Sequence, residues 1–291
     1  MEIIGILISG LLMGGVYALM SSGLAIIFGV MNIVNLAHAA FIILGAYLSL
    51  YSANWFGIDP LLSVPINMVV MFGLGLVLYK LLFTRIPNQA RFIEYTVLMT
   101  FAVALLFEGS MTYLFTGIFR STNPVYATKA LHIGNFALSY ARIYATILSL
   151  VLLLGLYILL KTTKTGRAIR ATMQDKKAAQ VVGVNVQRIS TITFGIGLSL
   201  AGASGALMSF LYTFYPSAHW TWIPRLLAII VFGGLGSLKG AIIGSIILGT
   251  GVALVGNLVS TSWAPMVFFG VLFIVLLFKP EGLFGKKVQK I

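Results

Sequence analysis

Residues 161–190, KTTKTGRAIRATMQDKKAAQVVGVNVQRIS, form a polar, strongly basic island in a chain that is otherwise almost continuously apolar. Seven bases fall in it: Lys161, Lys164, Arg167, Arg170, Lys176, Lys177 and Arg188. Apolar stretches long enough to cross a bilayer flank the island on both sides. Working outward, similar runs place spans near 4–30, 38–53, 61–83, 93–116, 142–160, 190–213, 222–236, 240–258 and 263–279. Lipid offers a free backbone amide no partner, so runs of this length are helices. The expected fold is an all-α polytopic membrane protein, a bundle of eight or nine transmembrane helices in one domain over residues 1–291. Residues 222–236 are short enough for a re-entrant half-helix, and the polar break at Met31–His38 is a candidate for lying within the bilayer.

Composition agrees. Of 291 residues, 59% are hydrophobic and 9% charged, against about 25% charged in a soluble domain. The net charge of +13 would suggest nucleic acid in a soluble protein, but here the bases sit in short loops, where they set orientation. Cysteine is absent, which removes disulfides and thiolate metal sites. The N-terminus, MEIIGILISG, lacks a basic leader region and its apolar run continues to Val30, as in a retained first span.

With the island inside, the same side receives Lys80, Arg85, Arg91, Lys239, Lys279, Lys286, Lys287 and Lys290, fifteen bases in all. The other side receives Arg120, Lys129, Arg142 and Arg225. That asymmetry predicts a cytoplasmic island and C-terminus, with the N-terminus outside if all nine spans cross. Small residues recur every fourth position at Gly10, Gly14, Ala18 and Ser22, at Gly195, Ser199 and Ala203, at Gly236, Gly240 and Gly244, and at Ala241, Ser245 and Gly249. Such stripes let helix backbones approach, either within one bundle or against a second membrane subunit. Pro224 and the Gly233–Gly236 cluster are expected to break a helix.

Catalytic signatures are missing. No GxxxxGK[ST] phosphate loop, no HExxH and no cluster of His with carboxylates occurs, so neither an enzyme nor a metal or other cofactor is expected. The three histidines, His38, His132 and His219, lie far apart, two of them in expected outer loops. Polar residues at membrane depth are the candidates for a translocation pathway: Asn32, Asn35, His38 and Glu108. Each has a structural alternative. Asn35 could cap the second span, and Glu108 could pair with Arg120 or Arg142. An ion-coupled secondary transporter would use Glu108 and His38. Glu94 is expected to be solvated or paired with Arg91. Asn67 and Asn257 could each bridge helices.

Within the island, residues 166–183 read as one short helix with Gly183 as its cap. Ile169, Met173 and Val181 or Val182 share its apolar face. A helix this short must pack on something. Either anionic lipid or a partner protein satisfies that need.

Several segments resemble the permeases of branched-chain amino acid ABC transporters. Lys177-Ala-Ala-Gln-Val-Val-Gly183 is similar to the cytoplasmic motif of ABC importer permeases, with lysine in place of its usual glutamate. Asn35-Leu-Ala-His38 resembles the N-x-A-H-G signature, with Ala39 at the glycine. Residues 165–171 and 175–183 are similar to the family's cytoplasmic segment, 232–244 to its glycine-rich motif and 279–285 to its terminal one. The resemblance implies a multi-pass permease of a prokaryotic cytoplasmic (inner) membrane, without its own ATPase. It implies as partners cytoplasmic ATP-binding subunits, a second permease, identical or homologous, and an extracytoplasmic solute-binding protein. Residues 161–189 become the ATPase-docking loop with its coupling helix. Gly166, Arg167, Arg170, Asp175, Lys177, Ala178, Ala179 and Gly183 become the docking residues.

Overall fold

The computed structural model describes residues 2–84, 92–133 and 136–285. The expected bases Arg85, Arg91, Lys286, Lys287 and Lys290, and the Glu94–Arg91 pair, rest on residues outside that set. Eleven α-helices account for most of the described chain: α1 Glu2–Met31, α2 His38–Phe56, α3 Pro60–Leu78 (extended by a π-turn to Phe83), α4 Phe92–Phe115, α5 Tyr140–Thr162, α6 Lys164–Gln174, α7 Lys176–Val181, α8 Val186–Leu211, α9 His219–Gly233, α10 Leu238–Leu258 and α11 Met266–Phe278. A hairpin of β1 Ala130–Ile133 and β2 Phe136–Ser139 stands between α4 and α5. Among the described residues, seven helices are long and apolar enough to cross a membrane: α1 to α5, α8 and α10. The apolar α9 and α11, of 15 and 13 residues, are shorter. The nine expected spans all appear as helices.

Local sequence sets the boundaries. Asp59 caps α3 by accepting from the Leu61 amide at 2.8 Å, with Pro60 at the first helical position, where a missing N–H costs nothing. Asn185 and Ser237 cap α8 and α10 in the same way, accepting from the Arg188 and Gly240 amides. Pro224 does not break α9. It lies near that helix's N-terminus, so a single backbone bond, to Trp220, is lost. The break falls instead at Gly234 and Gly236, whose φ values of 102° and 77° are open to glycine and strained for other residues.

The small-residue stripes pack within this chain. A Cβ added at Gly10 or Gly14 would come within 2.7 Å of Thr250 or Ile246 on α10, and one at Gly75 within 2.7 Å of Gly195 on α8. Gly45 of α2 faces Gly202 of α8. Asn67 of α3 ties that crossing together, donating from Nδ2 to the carbonyls of Gly45 at 2.8 Å and Gly202 at 3.4 Å. Asn257 bridges nothing: its Nδ2 bonds Ala253 of its own helix. Helix α8, buried for most of its length, is the central post, with α1, α2 and α3 around it.

One end of the bundle gathers α6, α7, the α9–α10 turn and the last described residues. The amides of Leu283 and Phe284 donate to the carbonyls of Phe232 and Gly233 at 2.8 and 3.0 Å. Gly236 packs against Gly29. The opposite end carries the hairpin and the loop after α4, where Arg120 and Phe214 exchange backbone bonds at 2.9 and 2.8 Å.

Candidate functional site

The basic island folds as two helices, not the single helix expected over 166–183. Asp175, at φ −154° and ψ 117°, ends α6 and starts α7. Its carboxylate accepts from the amides of Lys177 and Ala178 at 2.8 and 3.0 Å, so the break is a helix cap built by one side chain. After α7, Gly183 at φ 85° donates to Gln180 and Val184 donates to Ala179, each at 3.0 Å. This pair of bonds is a Schellman closure, which calls for a left-handed residue. Gly183 is therefore where the sequence put the cap.

Splitting the helix divides the expected apolar face. Ile169 is fully buried and Met173 reaches Gly29 of α1. Val181 and Val182 point the other way and are 87% and 77% exposed. The residues expected to dock an ATPase divide too. Arg167, Arg170, Asp175, Lys177, Ala178 and Gly183 are exposed, whereas Gly166 and Ala179 are buried. Gly166 sits so close to Leu159 and Leu160 that a Cβ there would meet the Leu160 Cα at 2.6 Å. Its part is to let α6 fold tightly back on α5. Val181 and Val182, absent from the docking set, are the residues that the intact-helix pattern concealed.

Lys176 joins this loop to α1. Its Nζ donates to the Met31 carbonyl at 3.1 Å, and partial burial lowers its pKa from the ordinary lysine value by desolvation. Met31 is the last residue of α1, and Asn32 follows at φ 55°, donating its amide to Phe28 at 2.8 Å. Exposed Asn32 is thus the left-handed terminator of α1, a conformation asparagine tolerates better than most residues.

From Asn32 the chain doubles back. His38, the first residue of α2, places its ring Nε2 3.1 Å from the Met20 carbonyl, three turns up α1 from Met31. The stretch between them is non-helical, and Thr100 of α4 braces it, donating to the Val34 carbonyl at 3.1 Å and accepting from the Leu36 amide at 3.2 Å. Irregular backbone is sustained at such depth only where protein supplies the partners. Asn35 does not cap α2, which starts from Ala37 without a side-chain bond. Its Oδ1 accepts from the Ala37 amide at 3.2 Å in a local turn. Asn35 Nδ2 and His38 Nδ1 are buried with no protein partner.

Glu108 has neither of the expected arginine partners. Its Oε2 accepts from Trp220 Nε1 at 2.8 Å and lies 3.1 Å from His219 Nε2. Arg120 bonds the Phe115 carbonyl and Arg142 bonds Ser9. His219, expected in an outer loop, is fully buried at the start of α9. Glu108 therefore fastens α9 to α4, while His38 belongs to a separate set of bonds.

The family model for the permease component of a branched-chain amino acid transport system matches residues 6–277. The chain belongs to that family. The chain is similar to the high-affinity branched-chain amino acid transport system permease protein BraD of Pseudomonas aeruginosa, 26% identical over 98% of this chain and 97% of the relative. LivH of Escherichia coli is 29% identical over 97% and 96%, and a probable LivH of Methanocaldococcus jannaschii 27% identical over 98% and 94%. No solved structure matches. The family-like segments at 232–244 and 279–285 form one packed unit at the loop end of the bundle, since the second bonds the first.

Proposed function

We propose that this chain is the transmembrane permease subunit of an ABC importer for branched-chain amino acids or similar small polar solutes, without a catalytic step of its own. It works as a single domain, paired with a second permease, identical or homologous, in a prokaryotic cytoplasmic membrane. A solute-binding protein delivers cargo to the hairpin end. Two ATP-binding subunits grip the α6–α7 end. The excess of bases at that end puts it, and the C-terminus, in the cytoplasm.

The observation that carries the reading is the outward exposure of Val181 and Val182, 87% and 77%, on an otherwise polar loop of a chain matched by the family from 6 to 277. Two neighbouring apolar side chains on a rigidly capped turn suit a protein groove better than water. Lys177, Ala178 and Gly183 flank them, Arg167, Arg170 and Asp175 form the polar surround, and Gly166 and Ala179 shape the loop from within. Motion reaching α7 has a direct route to the unwound stretch 32–37 through the Lys176–Met31 bond. Asn35 and His38 are the pathway residues on this reading.

The test is co-purification and transport with the neighbouring gene products. Val181→Asp with Val182→Asp should release the ATPase subunits, and Gly183→Val should leave ATP hydrolysis running without uptake. Unaltered assembly and uptake in both would overturn the docking assignment. Uptake by the chain alone, abolished by a proton uncoupler, would favour ion-coupled transport instead.

A further inference from the structure

We propose that the cavity at the hairpin end, enclosed by α1, α5, α9, α10 and the start of α11, binds an amphiphilic anion. Arg142 and Arg225 would hold a carboxylate or phosphate head, and Met13, Val252 and Phe268 its hydrocarbon part. The cavity measures about 580 Å³, within the roughly 300–1,000 Å³ usual for small-molecule sites. Its lining contains two guanidinium groups and no carboxylate. Among the described residues neither arginine has a carboxylate within salt-bridge distance. Arg142 donates to Ser9 Oγ at 2.5 Å. The half-buried Arg225 lies 5.1 Å from the Trp222 ring centroid and, among the described residues, reaches no hydrogen-bond acceptor. Beside them the hydroxyls of Tyr17 and Tyr212, which also line the cavity, bond each other at 3.1 Å.

Two like charges that line one recess, with no counter-charge among its lining residues, repel each other. An anion between them removes that repulsion, and a planar guanidinium matches the oxygen pair of a carboxylate or phosphate. The absence of an acidic lining residue leaves no counter-charge for an ammonium group. The site is therefore matched to an anion, not to a zwitterion or a cation. This argument rests on the cavity alone and holds whichever solute the chain transports.

Two sources share that chemistry, an anionic phospholipid and a free aliphatic carboxylate. The purified full-length chain would be exposed to phosphatidylglycerol or phosphatidylcholine and its retained lipid counted by native mass spectrometry. In parallel, 4-methylpentanoate would be titrated by calorimetry. The expected result is saturable, one-to-one binding of phosphatidylglycerol, of 4-methylpentanoate, or of both. Arg142→Gln combined with Arg225→Gln should weaken it at least tenfold, with thermal unfolding unchanged. If that double variant does not fold, Val252→Phe, which fills the cavity and leaves both arginines in place, is judged by the same criterion. Binding of neither probe in preference to phosphatidylcholine would overturn the proposal. So would binding that survives the decisive variant.

Discussion

Replacing Gly45 by alanine tests the close helix crossing on which the bundle is built. A Cβ at that position would lie 2.8 Å from the Gly202 carbonyl oxygen and 2.9 Å from its Cα, where ordinary contact begins at 3.4 Å. Both near atoms are backbone, so no side chain can swing aside, and α2 and α8 must separate by about 0.5 Å. Overpacking of this kind costs about 1–3 kcal/mol. The separation also stretches the Asn67 bonds to the carbonyls of Gly45 and Gly202, worth about 0.6 kcal/mol for a polar contact between membrane helices. Relative to an unobstructed glycine-to-alanine change in a helix, the expected loss is about 1.6–3.6 kcal/mol. Gly73 and Gly155 have nothing within 4 Å of an added Cβ, so alanine there should cost nothing and gain up to about 1 kcal/mol in helix propensity. Reversible unfolding of the three variants in mixed micelles, by denaturant titration, gives the comparison. If Gly45→Ala lies within about 0.5 kcal/mol of the two controls, α2 and α8 are not in backbone contact and the packing argument fails.

Four further predictions follow from single contacts. Val181→Asp with Val182→Asp should lower ATPase-subunit retention at least tenfold, since burying one such side chain contributes about 1.5–3 kcal/mol, while micellar thermal unfolding of the isolated chain stays unchanged. Glu108→Ala should destabilise by about 1–3 kcal/mol, because Trp220 Nε1 and His219 Nε2 lose their acceptor. Glu108→Gln, which keeps an acceptor oxygen, should cost less in the same unfolding assay. Asp59→Ala removes both the α3 cap and the acceptor of the Tyr126 hydroxyl at 2.9 Å, and should cost about 1–2 kcal/mol. Lys176 has a folded-state pKa below its unfolded value of 10.5 through desolvation. Its charged form is thus disfavoured on folding, so wild-type stability relative to Lys176→Met should rise with pH from that lowered pKa up to 10.5. A flat difference across that window would refute the burial of the Lys176 ammonium.

The spans were legible in the sequence because lipid imposes one rule, a run of apolar residues about 20 long, and α1 to α5, α8 and α10 all obey it. The small-residue stripes likewise located helix crossings, although only the coordinates assign Gly10 and Gly14 to α10 and Gly75 to α8. The local features that hydropathy did not reveal share a cause. Asp175 as a helix break, Asn32 as a left-handed terminator and Ala37 in place of Asn35 at the start of α2 are all backbone conformations, and hydropathy carries no record of φ and ψ. The Glu108 partners were missed for a different reason. Arginine is the expected partner of a carboxylate, but His219 and Trp220, 111 and 112 residues away, are delivered by the fold of the chain after α8.

That fold-back and the break after α1 have a common physical consequence. A tight α1–α2 hairpin would leave only the groups at the two helix ends without intrahelical partners. Here α1 ends at Met31, the chain climbs back unwound to the level of Met20, and Thr100 of α4 holds it by two bonds of 3.1 and 3.2 Å. Two hydrogen bonds to one hydroxyl amount to only a few kcal/mol at most, far less than the packing along α8. Residues 32–37 are therefore held by the packing of Ile33 and Ala37 together with these bonds, without a helical ladder. They are also attached at Met31 to Lys176, beside the buried, partnerless Asn35 Nδ2 and His38 Nδ1. A force applied to α7 would reach this segment through Lys176, where no helical hydrogen-bond ladder has to break and two buried polar atoms stand to gain a partner.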